Sequence, residues 1–295
     1  MSNFNVKRVN DYVLELTMDV VGGPDWKQSV LHQSDQHWDS KKSHRSTIKQ
    51  HLDEAMERNA PIFFYGDWFD AMQGKNDRRG SKSDVRPEYQ SISYFDDLVD
   101  NCADWIAPYA SNIVGWGRGN HETSVLLHNE TDLVKRTVEK VNLINGTSIL
   151  TMGYEGYIVL NFRKEDGSGV TGGKKKVFFT HGTGGGGQAS KGVTKTSYRA
   201  AVHPDADIVI SGHTHKFWAM PEQRVRISDM GRLYTDTQWH LQLGAYKDNY
   251  MNTPGLGWEH EKGFSPTTVG TFWTNVRRKK SSNRTEIEVI PEMAL

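Results

Sequence analysis

One cysteine, no imbalance of charge and no long apolar run mark this chain of 295 residues, and each shortage excludes something. A lone Cys102 leaves no partner for an internal disulfide and no thiolate cluster for a metal, which fits a reducing, cytoplasmic compartment and a small core residue. Lys plus Arg and Asp plus Glu stand at 36 each, so any nucleic-acid partner has to be held by local basic clusters. A mean hydropathy of -0.66 and the lack of a long apolar stretch argue against a transmembrane helix, so no membrane partner is expected. The first ten residues carry Lys7 and Arg8 with no apolar stretch of signal-peptide length behind them. Internal repeats and clear linkers are also lacking. One domain over residues 1–295 is therefore expected, with a motif-bearing core at about 12–245 and an irregular C-terminal extension at about 246–295. Nothing requires an obligate protein partner.

Apolar residues make up 36% of the chain and aromatics 11%, enough for a sizeable core. Alternation predicts a strand over 12–18, followed by a turn at Val21-Gly22-Gly23-Pro24, and a second strand over 28–33. A stripe of Ile48, Leu52, Ala55 and Met56 predicts a helix over 46–58, and Phe95, Leu98, Val99, Cys102 and Ile106 predict another over 92–107. Between them, residues 74–86 are polar and basic. A further helix is expected over about 126–141, strands over 149–162 and 233–243, and a hairpin-like turn over 166–173. Residues 253–266 read as irregular, and Arg277-Arg278-Lys279-Lys280 as a charged turn before a last strand over 285–290.

Five short segments place metal-ligand residues where strands should run out into loops. They are Asp35-Gln36-His37, Gly66-Asp67-Trp68-Phe69-Asp70, Gly119-Asn120-His121-Glu122, His181-Gly182 and Gly212-His213-Thr214-His215. Four follow runs rich in Val, Ile or Phe, and strand ends converge on one edge of a sheet in open α/β proteins. Asp-x-His on a strand exit points both side chains to one face, because alternate residues share it. Asp, Asn and His together suit divalent metals of intermediate hardness. Of the remaining histidines, His32 lies an odd number of residues from Asp35 and should face away. Glu122 is expected to cap or to pair beside the site rather than to ligate a metal.

In this order the motifs resemble those of the calcineurin-like metallophosphoesterases, over Asp35 to His215. The resemblance implies an α/β fold in which two mixed sheets pack as a sandwich flanked by helices, with two divalent metal ions at the strand ends. It assigns Asp35, His37, Asp67 and His215 to one metal, and Asp67, Asn120, His181 and His213 to the other. It aims His121 at the scissile phosphate and leaving group, with the Asp70 carboxylate orienting that histidine. Mn²⁺ is favoured by the resemblance, while Fe and Zn²⁺ suit the same ligands. Two cations sharing a carboxylate sit roughly 3.5–4 Å apart and acidify a water to hydroxide, which attacks phosphorus in line.

The run from Gly182 to Gly187 is not a Walker-type loop, since the GxxxxGK[ST] pattern is lacking. Bare backbone there can approach a phosphate, with Lys191, Lys195 and Arg199 downstream as substrate-binding candidates. The expected activity is a phosphodiesterase acting on DNA, RNA or a nucleotide, with some of the nine Trp available to stack on bases. The segment from Gly244 through Trp258 to Trp273 is similar to that of phage-encoded members, which places the protein in the host cytoplasm. No DNA-capping domain like that of the double-strand-break repair nucleases follows. The alternative is a phosphomonoesterase or protein phosphatase, for which Arg118 is the candidate phosphate clamp. A metal-binding scaffold without turnover is the third reading.

Overall fold

The computed structural model describes residues 3–295 apart from 22–24, 72–83, 165–173, 186, 188, 249, 251–262, 264 and 282–283. Two mixed sheets pack face to face. The seven-stranded sheet runs in the order β1 (Phe4–Asn10), β2 (Val13–Val20), β7 (Glu155–Lys164), β8 (Lys175–Thr180), β9 (Ile208–Ser211), β11 (Leu233–Gln242) and β10 (Trp218–Ile227). The six-stranded sheet runs β13 (Arg284–Ala294), β12 (Thr271–Ser281), β3 (Lys27–Gln33), β4 (Ile62–Tyr65), β5 (Ile113–Gly117) and β6 (Leu150–Thr151). Five α-helices are described: α1 (Arg45–Glu57), α2 (Tyr94–Ile106), α3 (Asn120–Asn129), α4 (Leu133–Asn145) and α5 (Lys195–Val202). None is long and apolar enough to cross a membrane.

The apolar run Ile62-Phe63-Phe64-Tyr65 forms a strand buried on both faces, as parallel central strands are. Its alternation divides the molecule into two cores. Phe63 and Tyr65 point between the sheets, with Leu16, Met18, Ile158, Phe179 and Ile210. Ile62 and Phe64 point outward, beneath Leu52, Leu98, Cys102 and Val138 of α1, α2 and α4. The outer face of the seven-stranded sheet carries a small cluster of Phe178, Ala206 and Val209.

The α/β sandwich of two mixed sheets and most expected elements are found, with informative differences. The helix expected over 126–141 is two helices, because Glu130 turns left-handed (φ 54°) and the Asp132 side chain caps α4 by accepting from the Lys135 amide. The last strand expected over 285–290 is found as β13, and a second long strand, β12, which was not expected, precedes it. The presumed charged turn at 277–280 lies inside β12, where Arg277 and Lys279 reach Glu288 of β13 at 2.9 and 2.8 Å. Cross-strand ion pairing makes a basic run compatible with a sheet, and Phe272, Trp273 and Val276 of the same strand fill both cores. The turn expected at 21–24 (apart from Val21), the turn expected at 166–173, the basic residues Lys75, Arg78, Arg79 and Lys82, and most of 253–266 lie outside the described residues.

Candidate metal centre

Strands β3, β4 and β5 are parallel, as are β8 and β9, so their C-terminal ends reach one edge of the sandwich. Asp35 and His37 follow β3, Asp67 and Asp70 follow β4, Asn120 and His121 open α3 after β5, His181 follows β8, and His213 and His215 follow β9. The loops are fastened to one another: the Asp35 and His37 amides donate to the Gly66 and Asp67 carbonyls, and Gly212 donates to the His181 carbonyl. Asp35, His37, Asp67, His213 and His215 all have φ between 47° and 70°. Left-handed backbone is costly for non-glycine residues and is kept where the surroundings over-determine it. Here it turns side chains from separate loops toward one point.

Three groups of side chains result among the described residues, and one of them, His37, Asp70 and His121, shares His37 with the first of the two that hold the motif ligands. Asp35, His37 and His215 form that first group, with His215 Nε2 3.3 Å from Asp35 Oδ1 and 3.1 Å from His37 Nε2. Asp67, His181 and His213 form the other, with His181 Nε2 3.1 Å from Asp67 Oδ2. Asn120 Oδ1 joins the second at 3.1 Å from His181 Nε2 and 2.7 Å from His213 Nδ1. Nitrogen atoms approaching one another at 3.1 Å, and a buried Asp35 Oδ1 without a hydrogen-bond donor, are the features a cation resolves. The donors are imidazole nitrogens and carboxylate or amide oxygens with no sulfur, a set that fits divalent metals.

Electrostatics agree with that fit. Burial disfavours charge on His181, yet Asp67 and then Asp35 and Glu122 outweigh it and push the imidazole up to about 10. Buried carboxylates thus hold a proton where a divalent cation would displace it. His37 is pushed down to about 4 by burial, against the pull of Asp70, and stays a neutral imidazole fit to ligate. Burial and Asp67 push Glu122 up to about 7. Its carboxyl accepts from the amides of Asp67, Phe69 and Gly119 at 2.8–3.0 Å, as a cap beside the site.

His121 is fastened at the rim. Its amide donates to Asp67 Oδ1 at 3.0 Å, its Nδ1 lies against the Asp70 carbonyl, and its Nε2 is 3.7 Å from Asp67 Oδ2. Both the carbonyl and the carboxylate of Asp70 lie near His121. The Asp70 carboxylate is 3.8 Å from His121 Nδ1 but accepts from His37 Nδ1 at 2.8 Å and from Lys247 Nζ at 2.9 and 3.0 Å. The main-chain oxygen of Asp70 is thus nearer to His121 Nδ1 than its carboxylate is. Lys247 was not legible in the sequence, because it follows the last motif and no pattern marks it.

The substrate-binding candidates are placed less centrally. The Arg118 guanidinium forks onto Asp132 at the start of α4, with Nε at 3.3 Å. The Lys195 ammonium donates to the Thr183 carbonyl, within the loop that follows His181. Lys191 is exposed, and its carbonyl accepts from the Trp218 indole. His32 faces away from the metal-ligand groups, as expected, between Tyr65 and Thr274.

Among solved structures, Vacuolar Protein Sorting 29 from Cryptosporidium parvum is 14% identical, with a TM-score of 0.37 over 91% of this chain and 99% of that one. A conserved uncharacterized protein of Streptococcus pneumoniae TIGR4, described as a predicted phosphoesterase, is 12% identical (TM-score 0.31, 90% and 99% covered). GAP50, the anchor in the inner membrane complex of Plasmodium, is 13% identical (TM-score 0.39, 90% and 84% covered). No curated protein sequence matches the chain. The family profile described as calcineurin-like phosphoesterase matches residues 29–217, which span every motif that supplies the two groups of side chains. The chain therefore belongs to the calcineurin-like phosphoesterases and is a metal-dependent phosphoester hydrolase.

Proposed function

We propose that this hydrolase is a phosphodiesterase acting on nucleic acid or a nucleotide, with two divalent cations, Mn²⁺ by preference. Asp35, His37, Asp67 and His215 would hold one cation, and Asp67, Asn120, His181 and His213 the other. Bound there, the cations supply Lewis acidity and positive charge for the phosphoryl group. The observation that carries the diester reading is the engagement of Arg118. Either ester expels an alkoxide that needs a proton, and His121, with Nδ1 on the Asp70 carbonyl and Nε2 toward the metal-ligand groups, would supply it in both cases. A terminal monoester phosphate bears more charge than the singly charged diester and gains more from a guanidinium clamp. Arg118, the arginine nearest the motif, is engaged by Asp132 instead.

Turnover of bis(4-nitrophenyl) phosphate should exceed that of 4-nitrophenyl phosphate in the presence of Mn²⁺, and EDTA should abolish both. Dominant monoester hydrolysis would overturn the diester reading. A panel of single-stranded DNA, duplex DNA, RNA, cyclic nucleotides and a phosphopeptide then identifies the substrate class, with phosphopeptide preference overturning the nucleic-acid reading.

A further inference from the structure

Lys247 is buried, yet it lies outside the residues that carry the family motifs. Its ammonium is 2.9 and 3.0 Å from the two oxygens of Asp70, itself fully buried. The segment that carries Lys247 is pinned to the first ligand loop. The Tyr246 amide donates to the Asp35 carbonyl, the His44 amide to the Tyr246 carbonyl, and Lys247 forms an isolated bridge with Ser43. The Tyr246 hydroxyl accepts from Gln33 Nε2 and lies 2.8 Å from His51 Nδ1. The backbone that carries Lys247 is thus fastened to the first ligand loop, and its ammonium is held on Asp70.

The Asp70 carboxylate has two histidines within reach, His37 at 2.8 Å and His121 at 3.8 Å. We propose that Lys247 is a positioning residue that holds the Asp70 carboxylate on His37 and away from His121. The carboxylate then fixes the ring of one metal-ligand histidine with its Nε2 turned inward, in the manner of a carboxylate–histidine–metal relay. His121 is left with a neutral carbonyl on Nδ1. Asp39, buried beside Asp70, takes the Asp70 and Ala71 amides, which keeps the Asp70 loop from swinging back. The inference rests on the assignment of His37 as a metal ligand in the proposed function.

The test measures cation binding as well as turnover. Mn²⁺ titration followed by electron paramagnetic resonance should give two sites in the wild type. In Lys247→Met, one site should weaken by about 10–100-fold, the scale typical of partners behind a ligand, while the other is unchanged. The spin-coupled signal of the Mn²⁺ pair should fade accordingly and return at high Mn²⁺, with kcat recovering toward the wild-type value. Unchanged binding at both sites, or equal weakening at both, would overturn the proposal. His37→Ala separates it from the ligand assignment: if that variant keeps both sites intact, the assignment itself fails. Should Lys247→Met not fold, the Zn²⁺-loaded wild type decides by nuclear magnetic resonance. A low-field Nδ1 proton, the mark of a carboxylate acceptor, is expected on His37 and not on His121, and the reverse pattern would overturn the proposal.

Discussion

His32 and His37 sit five positions apart at the end of one strand and use burial in opposite ways. His37 is buried facing the metal-ligand groups, whereas His32 spends both ring nitrogens on hydroxyls, Nδ1 on Tyr65 and Nε2 on Thr274, each at 2.8 Å. Burial pushes His32 down to about 3, so the folded protein holds it neutral across the mildly acid range. The unfolded chain takes up that proton near its ordinary value of about 6.5, so folding stability falls as pH drops below it. Between pH 6.5 and 5 this one residue should cost about 2 kcal/mol. Gln at position 32 can bond the same hydroxyls without titrating. The midpoint of thermal unfolding should therefore drop more steeply from pH 7 to pH 5 in the wild type than in His32→Gln, and parallel curves would disprove the assignment.

Strand ends and the loops that leave them form the next scale. Gly66 and Gly119 bring the loops after β4 and β5 into contact, and a Cβ on Gly119 would lie 2.0 Å from Asp67 Oδ1 and 2.5 Å from its amide nitrogen. Gly119→Ala should push Asp67 aside while leaving both sheets intact. A displacement near 1 Å at a reacting centre costs on the order of 100-fold in rate, and the proposed sharing of Asp67 between two cations would be lost as well. We expect a loss of that size with the far-ultraviolet circular dichroism unchanged, together with reduced Mn²⁺ content. The motif glycines, the strand runs before them and the seven proposed ligands were legible because each signal is local, a few residues of strand followed by a turn. The break between α3 and α4 was not, since Asp132 serves as both cap and partner of Arg118. Strands β10 and β12 were also hidden, because their charged residues make sense only beside the neighbouring strand. Lys247 belongs to the same class: its meaning comes from Asp70, 177 residues away.

At the scale of the molecule, the chain's last strands are part of its centre. Trp273 of β12 is about 1% exposed, packs in the helix-side core and lies under the Arg58 guanidinium at 4.4 Å. Trp273→Ala should cost about 3–5 kcal/mol, read as a lower urea midpoint with an unchanged slope. A loss below about 1 kcal/mol would mean that the C-terminal hairpin is an appendage. The pairing of β12 with β3 also sets an order of events. The strand that presents Asp35 is joined on one side by β4, from the same early stretch, and on the other by residues 240 or more positions later, as in the contact of His32 with Thr274. Until those residues leave the ribosome, β3 is an open edge, the slow long-range closure is still ahead, and Lys247 has only just emerged. Under the proposed ligand assignment, the loop after β3 therefore sits on a strand that lacks one neighbour until residues 271–281 are made, and a polypeptide stalled after the last family motif should hold metal more weakly than one that includes β12.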